Sequence, residues 1–246
     1  MIAITAATGK SGHKAAELLL TANIPVRVIG SLPEESRRLG EMGAELVQGN
    51  EADPDFLAKA FKGADGVYMS TDDHSSQSVQ AYPGSAIFDS SIAAINQAKV
   101  QKVVCLSCIM PGPKSGITGL RNVNHEPFLS QSVDVVLLKA GYLLEKLFAY
   151  KSLFTAHRFH QPENELGLPV PMISYQEIGN KVAELLKSLT FEGQSIVNLC
   201  GQKWVFYSQS WPGLRNNTAH ISTGNFKGRL PIVEGIAFPN YNIEFA

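Results

Sequence analysis

Apolar residues along the first two-thirds of the chain recur in short runs separated by longer amphipathic stretches. Ile2–Thr5 has strand length and character. Gly12–Thr21 follows, with Ala15, Ala16, Leu18, Leu19 and Leu20 on one broad helical face. Pro25 introduces a second strand, Val26–Ile29. The charged stretch Pro33–Met42 predicts a helix stopped by Gly43, and Glu45–Gln48 predicts a third strand. Asp53 can accept from the unpaired N–H groups of a helix start, and Pro54 suits the first helical position, where no N–H is needed. Phe56, Leu57, Ala60 and Phe61 then fall on one side. Gly63 ends that helix, because glycine turns left-handed without steric cost. Gly66–Ser70 is a fourth strand, and Phe88, Ile92 and Ile95 mark another helix. Lys102–Ser107 is a continuous apolar strand of the kind buried on both faces. Val133–Lys139 reads as a sixth strand, Gln176–Leu189 as an amphipathic helix and Ser195–Leu199 as a short strand.

Strands separated by helix-length crossovers predict parallel βαβ units joined right-handed, so the expected class is α/β with a doubly wound parallel sheet. From Gly201 onward the helical period disappears. Aromatic, Gly, Pro and Asn residues there predict short strands and loops. No internal repeat and no Pro/Gly linker divides the chain.

Composition narrows the function classes. The 246 residues carry 21 basic and 22 acidic side chains, a formal net charge of -1. Nucleic-acid binders that work by bulk charge carry a basic surplus, so no direct nucleic-acid partner is expected. No apolar run approaches the roughly 18 residues of a membrane helix. Three cysteines make no disulfide framework, and a cytoplasmic location is expected. Cys105 and Cys108 have redox spacing but lie along a strand, where residues three apart face opposite sides, a poor geometry for a disulfide. His157 and His160 have no evident third ligand, so no metal site is expected.

The loop Thr5-Ala6-Ala7-Thr8-Gly9-Lys10-Ser11-Gly12 sits between the first strand and the first helix. A doubly wound sheet places a dinucleotide there, with the pyrophosphate against unpaired N–H groups at the helix start. Gly9 and Gly12 permit close approach and tight packing. Thr8, Lys10 and Ser11 can donate to phosphate or ribose. Ala6 stands where a first glycine is expected and serves only at negative φ. The plain alternative is a tight turn without a ligand.

Ile2–Gly12 (IAITAATGKSG) resembles the opening of NmrA-like proteins, atypical short-chain dehydrogenase/reductases. That family includes NAD(P)H:quinone oxidoreductases, isoflavone-reductase-like enzymes and redox-sensing regulators. Gly43–Lys62, Val100–Ser107, Leu138–Leu147 (LKAGYLLEKL) and Val170–Leu186 are similar to later family segments in the same order, so the likeness spans about residues 1–200. It implies a Rossmann domain over residues 1–150 and a smaller C-terminal substrate lobe over 151–246 that is not an independent domain. It also implies NAD(P)(H) as cofactor.

NAD-preferring sites often place an acidic residue at the end of the second strand. Here Gly30 and Ser31 occupy it, and the arginine that NADPH-preferring relatives often carry about where Ser31 stands is missing too. Arg37 and Arg38 lie a helical turn or more further on and are candidates for a 2′-phosphate. Family habit favours NADP(H) over NAD(H). By the same resemblance Asn50 lies near adenine, Ser70 and Thr71 lie where a ribose passes, and Lys139, Ala140, Gly141 and Tyr142 flank the nicotinamide. Lys139 and Ala140 replace the family's arginine and proline.

Ordinary short-chain dehydrogenases use a serine and a Tyr-x-x-x-Lys pair. Ser107 matches the serine by position, but Leu120–Ser130 holds neither Tyr nor Lys. His125 is then a candidate proton donor near neutral pH, and Tyr142, Phe148 and Tyr150 can line an apolar platform. Quinone reduction relaxes the need for a relay, because solvent can protonate an oxygen that is already a good electron sink. The expected function is an NAD(P)H-dependent oxidoreductase acting on a quinone or similar apolar carbonyl compound. The alternatives are a non-catalytic NAD(P)-binding sensor and a degenerate domain that binds no nucleotide. Expected partners are a small-molecule substrate and a homodimer mate or regulatory protein, with no membrane.

Overall fold

A computed structural model of the chain describes residues 1–5, 7, 9–31, 34–70, 83–108, 132–143, 145, 169–200, 204–206, 221–222, 225–226 and 243–245. In chain order the first elements are β1 (Ile2–Ile4), α1 (Lys10–Thr21), β2 (Val26–Gly30), α2 (Glu34–Glu41), β3 (Glu45–Gln48), α3 (Pro54–Phe61), β4 (Gly66–Ser70) and α4 (Pro83–Ala98). They are followed by β5 (Lys102–Cys108), β6 (Asp134–Ala140), β7 (Tyr142–Leu143), β8 (Pro169–Ile173), α5 (Tyr175–Ser188) and β9 (Gln194–Cys200). Four short strands close the chain: β10 (Trp204–Phe206), β11 (Ile221–Ser222), β12 (Asn225–Phe226) and β13 (Ile243–Phe245).

Local chemistry accounts for the element limits. The Asp53 carboxylate accepts from the N–H groups of Asp55 and Phe56 at 3.0 and 3.2 Å, with Pro54 at the first turn of α3. Gly63 leaves that helix at φ +77°. Ser174 and Glu177 cap α5 reciprocally, each side chain reaching the other's backbone N–H. α1 starts at Lys10, two residues before the start expected from the apolar face. Gly9 is its N-cap at φ -82° and ψ 150°, with no side-chain cap.

The main sheet has the order β13-β9-β6-β5-β4-β1-β2-β3, and every pairing in it is parallel. Read from the β3 edge, the first six strands are β3-β2-β1-β4-β5-β6, the doubly wound arrangement, with its reversal between β1 and β4. Alternation along each strand sends side chains to two cores. Ile2, Ile4, Val28, Tyr68, Val104 and Val136 face α1, α2 and α5. Ala3, Val67, Met69, Val103, Cys105 and Leu137 face α3 and α4. Burial on both faces explains why β5 reads as an unbroken apolar run. Each fully buried large side chain, such as Phe61 or Ile95, contributes roughly 1.5–3 kcal/mol relative to exposure.

Residues beyond 150 do not all leave this sheet. β9 pairs with β6 and β13 with β9, while α5 packs on α1. A division at residue 150 therefore cuts through the sheet, because register joins strands far apart in sequence. β7, β8 and β10 form a separate three-stranded sheet, and β11 and β12 pair with each other. The described tail residues beyond Gly201 are short strands, as their composition predicts.

Candidate functional site

The strand order reverses between β1 and β4, the switch point beyond whose carboxyl ends doubly wound sheets bind their ligands. The Thr5 N–H donates to the Tyr68 carbonyl at 3.0 Å, extending the β1–β4 pairing one residue past the strand. Ala7 is buried, and α1 begins after Gly9. The first intrahelical bond runs from His13 N–H to Gly9 O at 2.9 Å. The main-chain N–H groups of Lys10, Ser11 and Gly12 therefore precede any i−4 acceptor within the helix. No acidic residue lies in the first turn of α1, so nothing there offsets the helix dipole. Glu17, the acid further along α1, is held below the usual carboxylate range, first by its hydrogen bond from Lys14 and then by nearby charge including Arg38. This arrangement suits a diphosphate.

The side chains of this loop behave differently from its main chain. Ser11 is buried, and its Oγ lies 3.3 Å from Tyr68 Oη. Its hydroxyl, expected to meet a phosphate, instead ties the start of α1 to β4. Lys10 is exposed, with its ammonium 5.6 Å from the centroid of the Tyr175 ring at the start of α5. Gly12 is buried. A Cβ added at Gly179 of α5 would meet Lys14 Cβ at 2.7 Å and Ser11 O at 3.0 Å, so α5 braces the first turns of α1. Sequence reasoning missed both Tyr68 and Gly179. Their signals were a lone tyrosine in an apolar strand and a glycine inside a helical period. Ala6, Thr8, Thr71 and His125 lie outside the described residues, as do Phe148, Tyr150, His157 and His160.

At the ribose end, Ser31 follows β2 and is exposed. Asn50 is exposed, and its Oδ1 accepts from the Ala52 N–H at 3.0 Å. Ser70 closes β4 and is half-buried. On the other side of the switch point, Ser107 pairs in register with Lys139, and Lys139 with Asn198. Partners in register share a sheet face, here the one carrying Cys105 and Leu137. Ser107 and Asn198 are buried and Lys139 is half-buried. Three polar residues thus stand side by side toward the carboxyl ends of β5, β6 and β9. Asn198 was not anticipated, although an amide inside the apolar run SIVNLC was its signal. Gly141 is buried and donates its N–H to Leu199 O at 2.8 Å. The Tyr142 backbone pairs with Met172 in the small sheet. Burial pushes the Cys105 thiol well above its ordinary range, so it stays protonated inside the core. Among the described residues no three His, Cys, Asp or Glu side chains gather as a metal site, and no helix is long and apolar enough to cross a membrane.

Comparison with known proteins agrees with this geometry. A family model described as NAD(P)H-binding matches residues 6–132, and the chain belongs to that family. No curated protein matches the chain by sequence. Among solved structures, the chain is similar to an NADPH-dependent quinone oxidoreductase from Escherichia coli complexed with NADPH. The identity is 22% and the TM-score 0.72, covering 89% of this chain and 75% of that one. It is also similar to the triphenylmethane reductase of a Citrobacter species complexed with NADP(H), at 18% identity and TM-score 0.67, covering 90% and 76%. A double variant of NmrA aligns at 15% identity and TM-score 0.61, covering 82% and 66%. These likenesses establish the shared Rossmann-type fold.

Proposed function

We propose that the chain is an NAD(P)H-dependent oxidoreductase that reduces a quinone or a similar apolar carbonyl compound. The observation that carries this reading is the uncapped start of α1, free of acidic side chains in its first turn, at the sheet's switch point in a chain of the NAD(P)H-binding family. The main-chain N–H groups of Gly9, Lys10, Ser11 and Gly12 hold the pyrophosphate, joined by Thr8, with Ala6 at the start of the turn. Ser70 and Thr71 line the path of a ribose. Lys139, Gly141 and Tyr142 flank the nicotinamide, which when bound supplies the hydride. Ser107, beside Lys139 in register, hydrogen-bonds the carbonyl oxygen of the substrate. His125 or solvent delivers the proton. The protein's contribution is mainly positioning and exclusion of water, which suffices for an acceptor that is already electron-poor.

Fluorescence titration with NADH and NADPH, followed by a panel of quinones with the absorbance of the reduced cofactor monitored, tests this reading. Binding with quinone-dependent loss of absorbance supports it. Tight binding without turnover would transfer the chain to the sensor reading, in which the same crevice reports nicotinamide state to a protein partner. Failure to bind either nucleotide would remove both readings.

A further inference from the structure

A half-buried lysine stands near each end of the paired strands β5 and β6, and the two are treated differently. At the amino ends, Lys102 has the Asp134 carboxylate at 2.9 Å and donates to the Phe191 carbonyl at 2.6 Å. Toward the carboxyl ends stands Lys139, in register between Ser107 of β5 and Asn198 of β9. Among the described residues no carboxylate pairs with its ammonium. Ser107 and Asn198 each have interactions of their own. A cation drawn partly out of water costs free energy unless an anion or a hydrogen-bond acceptor compensates it.

The backbone fixes where this lysine emerges. Leu138 and Ala140 on either side of it are buried in the core that faces α1, α2 and α5, so Lys139 is sent to the other face, the one carrying Cys105 and Leu137. The bond from Gly141 N–H to Leu199 O carries the β6–β9 pairing past the strand end and holds that register. Lys139 is one residue from the end of β6, about 3.3 Å along the strand. Its four-carbon stem is longer than that, so the ammonium can reach past the rim of the sheet, where doubly wound sheets bind their ligands. The stretch Leu120–Ser130 holds neither Tyr nor Lys, so an ordinary relay does not supply the charge that a reduced oxygen needs.

We infer that Lys139 is a catalytic residue: its ammonium hydrogen-bonds the acceptor oxygen on which negative charge develops during reduction. The inference rests on the oxidoreductase reading above and gives that reading its electrostatic group. The quinone gains a hydride, two electrons and one proton, as the C–H bond of the reduced nicotinamide breaks. The hydroquinone monoanion that results carries its charge on an oxygen. Lys139 stabilises that oxygen without giving up its own proton, and a second proton from His125 or solvent yields the neutral hydroquinone. One quinone, one reduced nucleotide and one proton thus become one hydroquinone and one oxidised nucleotide. A fixed charge aimed where charge develops favours the transition state over the neutral ground state, so its effect falls on the rate rather than on binding.

The test compares the wild-type chain with Lys139→Met, Lys139→Gln and Lys139→Arg on a series of quinones of decreasing electron affinity. Lys139→Met and Lys139→Gln should lower kcat by on the order of a hundredfold, as loss of one oxyanion donor does. KM and the dissociation constants for NADH and NADPH should stay close to the wild-type values. Lys139→Arg, which keeps the charge, should recover much of the rate. The loss should deepen along the series, because a poorer electron sink depends more on the cation. On the wild-type chain with oxidised nucleotide bound, para-nitrophenol should bind as its coloured phenolate, a signal without turnover that Lys139→Met should abolish. That wild-type measurement needs no variant, so a substitution that misfolds cannot shield the inference. Three results would each overturn it and leave the oxidoreductase reading standing: an unchanged kcat in the Met and Gln variants, nucleotide affinity lost with the rate in a variant that keeps its unfolding transition, or para-nitrophenol bound to the wild-type chain in its protonated form. A wild-type chain that binds nucleotide and reduces no quinone overturns the reading itself, and the inference with it.

Discussion

The two ends of the proposed cofactor crevice are built from different kinds of group. At the β1–α1 end the proposed contacts are main-chain N–H groups, those of Gly9, Lys10, Ser11 and Gly12, while the Ser11 hydroxyl is turned inward to Tyr68. At the β2–β3 end a side chain, Glu51, stands against Gly30, and it comes from the turn beyond the adjacent strand. Main-chain recognition asks only that the loop be small and correctly turned, so it leaves a glycine pattern within a few residues. Side-chain recognition asks for one charged atom at one place, which any neighbouring strand end can supply.

That contrast can be broken experimentally, and the largest effect is expected at the main-chain end. Gly9 sits at φ -82° and ψ 150°, where valine is sterically comfortable, so Gly9→Val should keep the fold while its branches occupy the pyrophosphate space. Displacing two charge-assisted hydrogen bonds of about 1.5–3 kcal/mol each weakens binding by at least on the order of a hundredfold. Titration should show NADH and NADPH losing affinity together, with their ratio intact. Undiminished affinity would remove this loop from the site.

Gly179→Ala tests whether α5 really sets the start of α1. The added methyl meets Lys14 Cβ at 2.7 Å and Ser11 O at 3.0 Å, neither of which is the far end of a flexible side chain. Overpacking of this kind costs about 1–3 kcal/mol in denaturant unfolding. Both nucleotides should weaken in parallel. A smaller loss, about 0.5–1.5 kcal/mol, is expected for Tyr68→Phe, which deletes the buried hydroxyl beside Ser11 Oγ. An unaltered unfolding midpoint would show that this contact does not anchor the helix.

The smallest effect belongs to the opposite end of the strands. Asp134, at the start of β6, is held below its ordinary value of 3.8, first by the hydrogen bond from Lys102 and then by the Gly193 N–H. A carboxylate whose folded pKa is depressed adds stability that is present above its unfolded value and lost as pH falls through the folded one. Acid titration of folding should therefore show a modest loss below about pH 4 that Asp134→Asn diminishes. Neither nucleotide affinity nor the ratio should move in that variant, since the pair lies at the amino ends of β5 and β6. A changed ratio would mean that the crevice senses the whole sheet and that its two ends are not separable.

Much of the architecture was legible in the linear pattern because its causes are local. The Asp53–Pro54 start of α3, the turns at Gly43 and Gly63, and the apolar run of β5 each depend on residues within one or two turns of chain. The Gly9–Gly12 loop was legible for the same reason. Other features arise only when strands come into register. The row Ser107–Lys139–Asn198 joins residues from three strands, and the contact of Gly179 with α1 spans most of the chain. The Glu51 carboxylate at Gly30 belongs to the same class, since its meaning depends on β3 lying beside β2 and on the fold of the turn after it. The sequence by itself determined the alternation of strands and helices and the loop where main chain can meet phosphate, since steric and capping rules act over short separations. The tertiary structure alone decided which side chains share the two ends of the crevice, because sheet order and register bring together residues that no local rule connects.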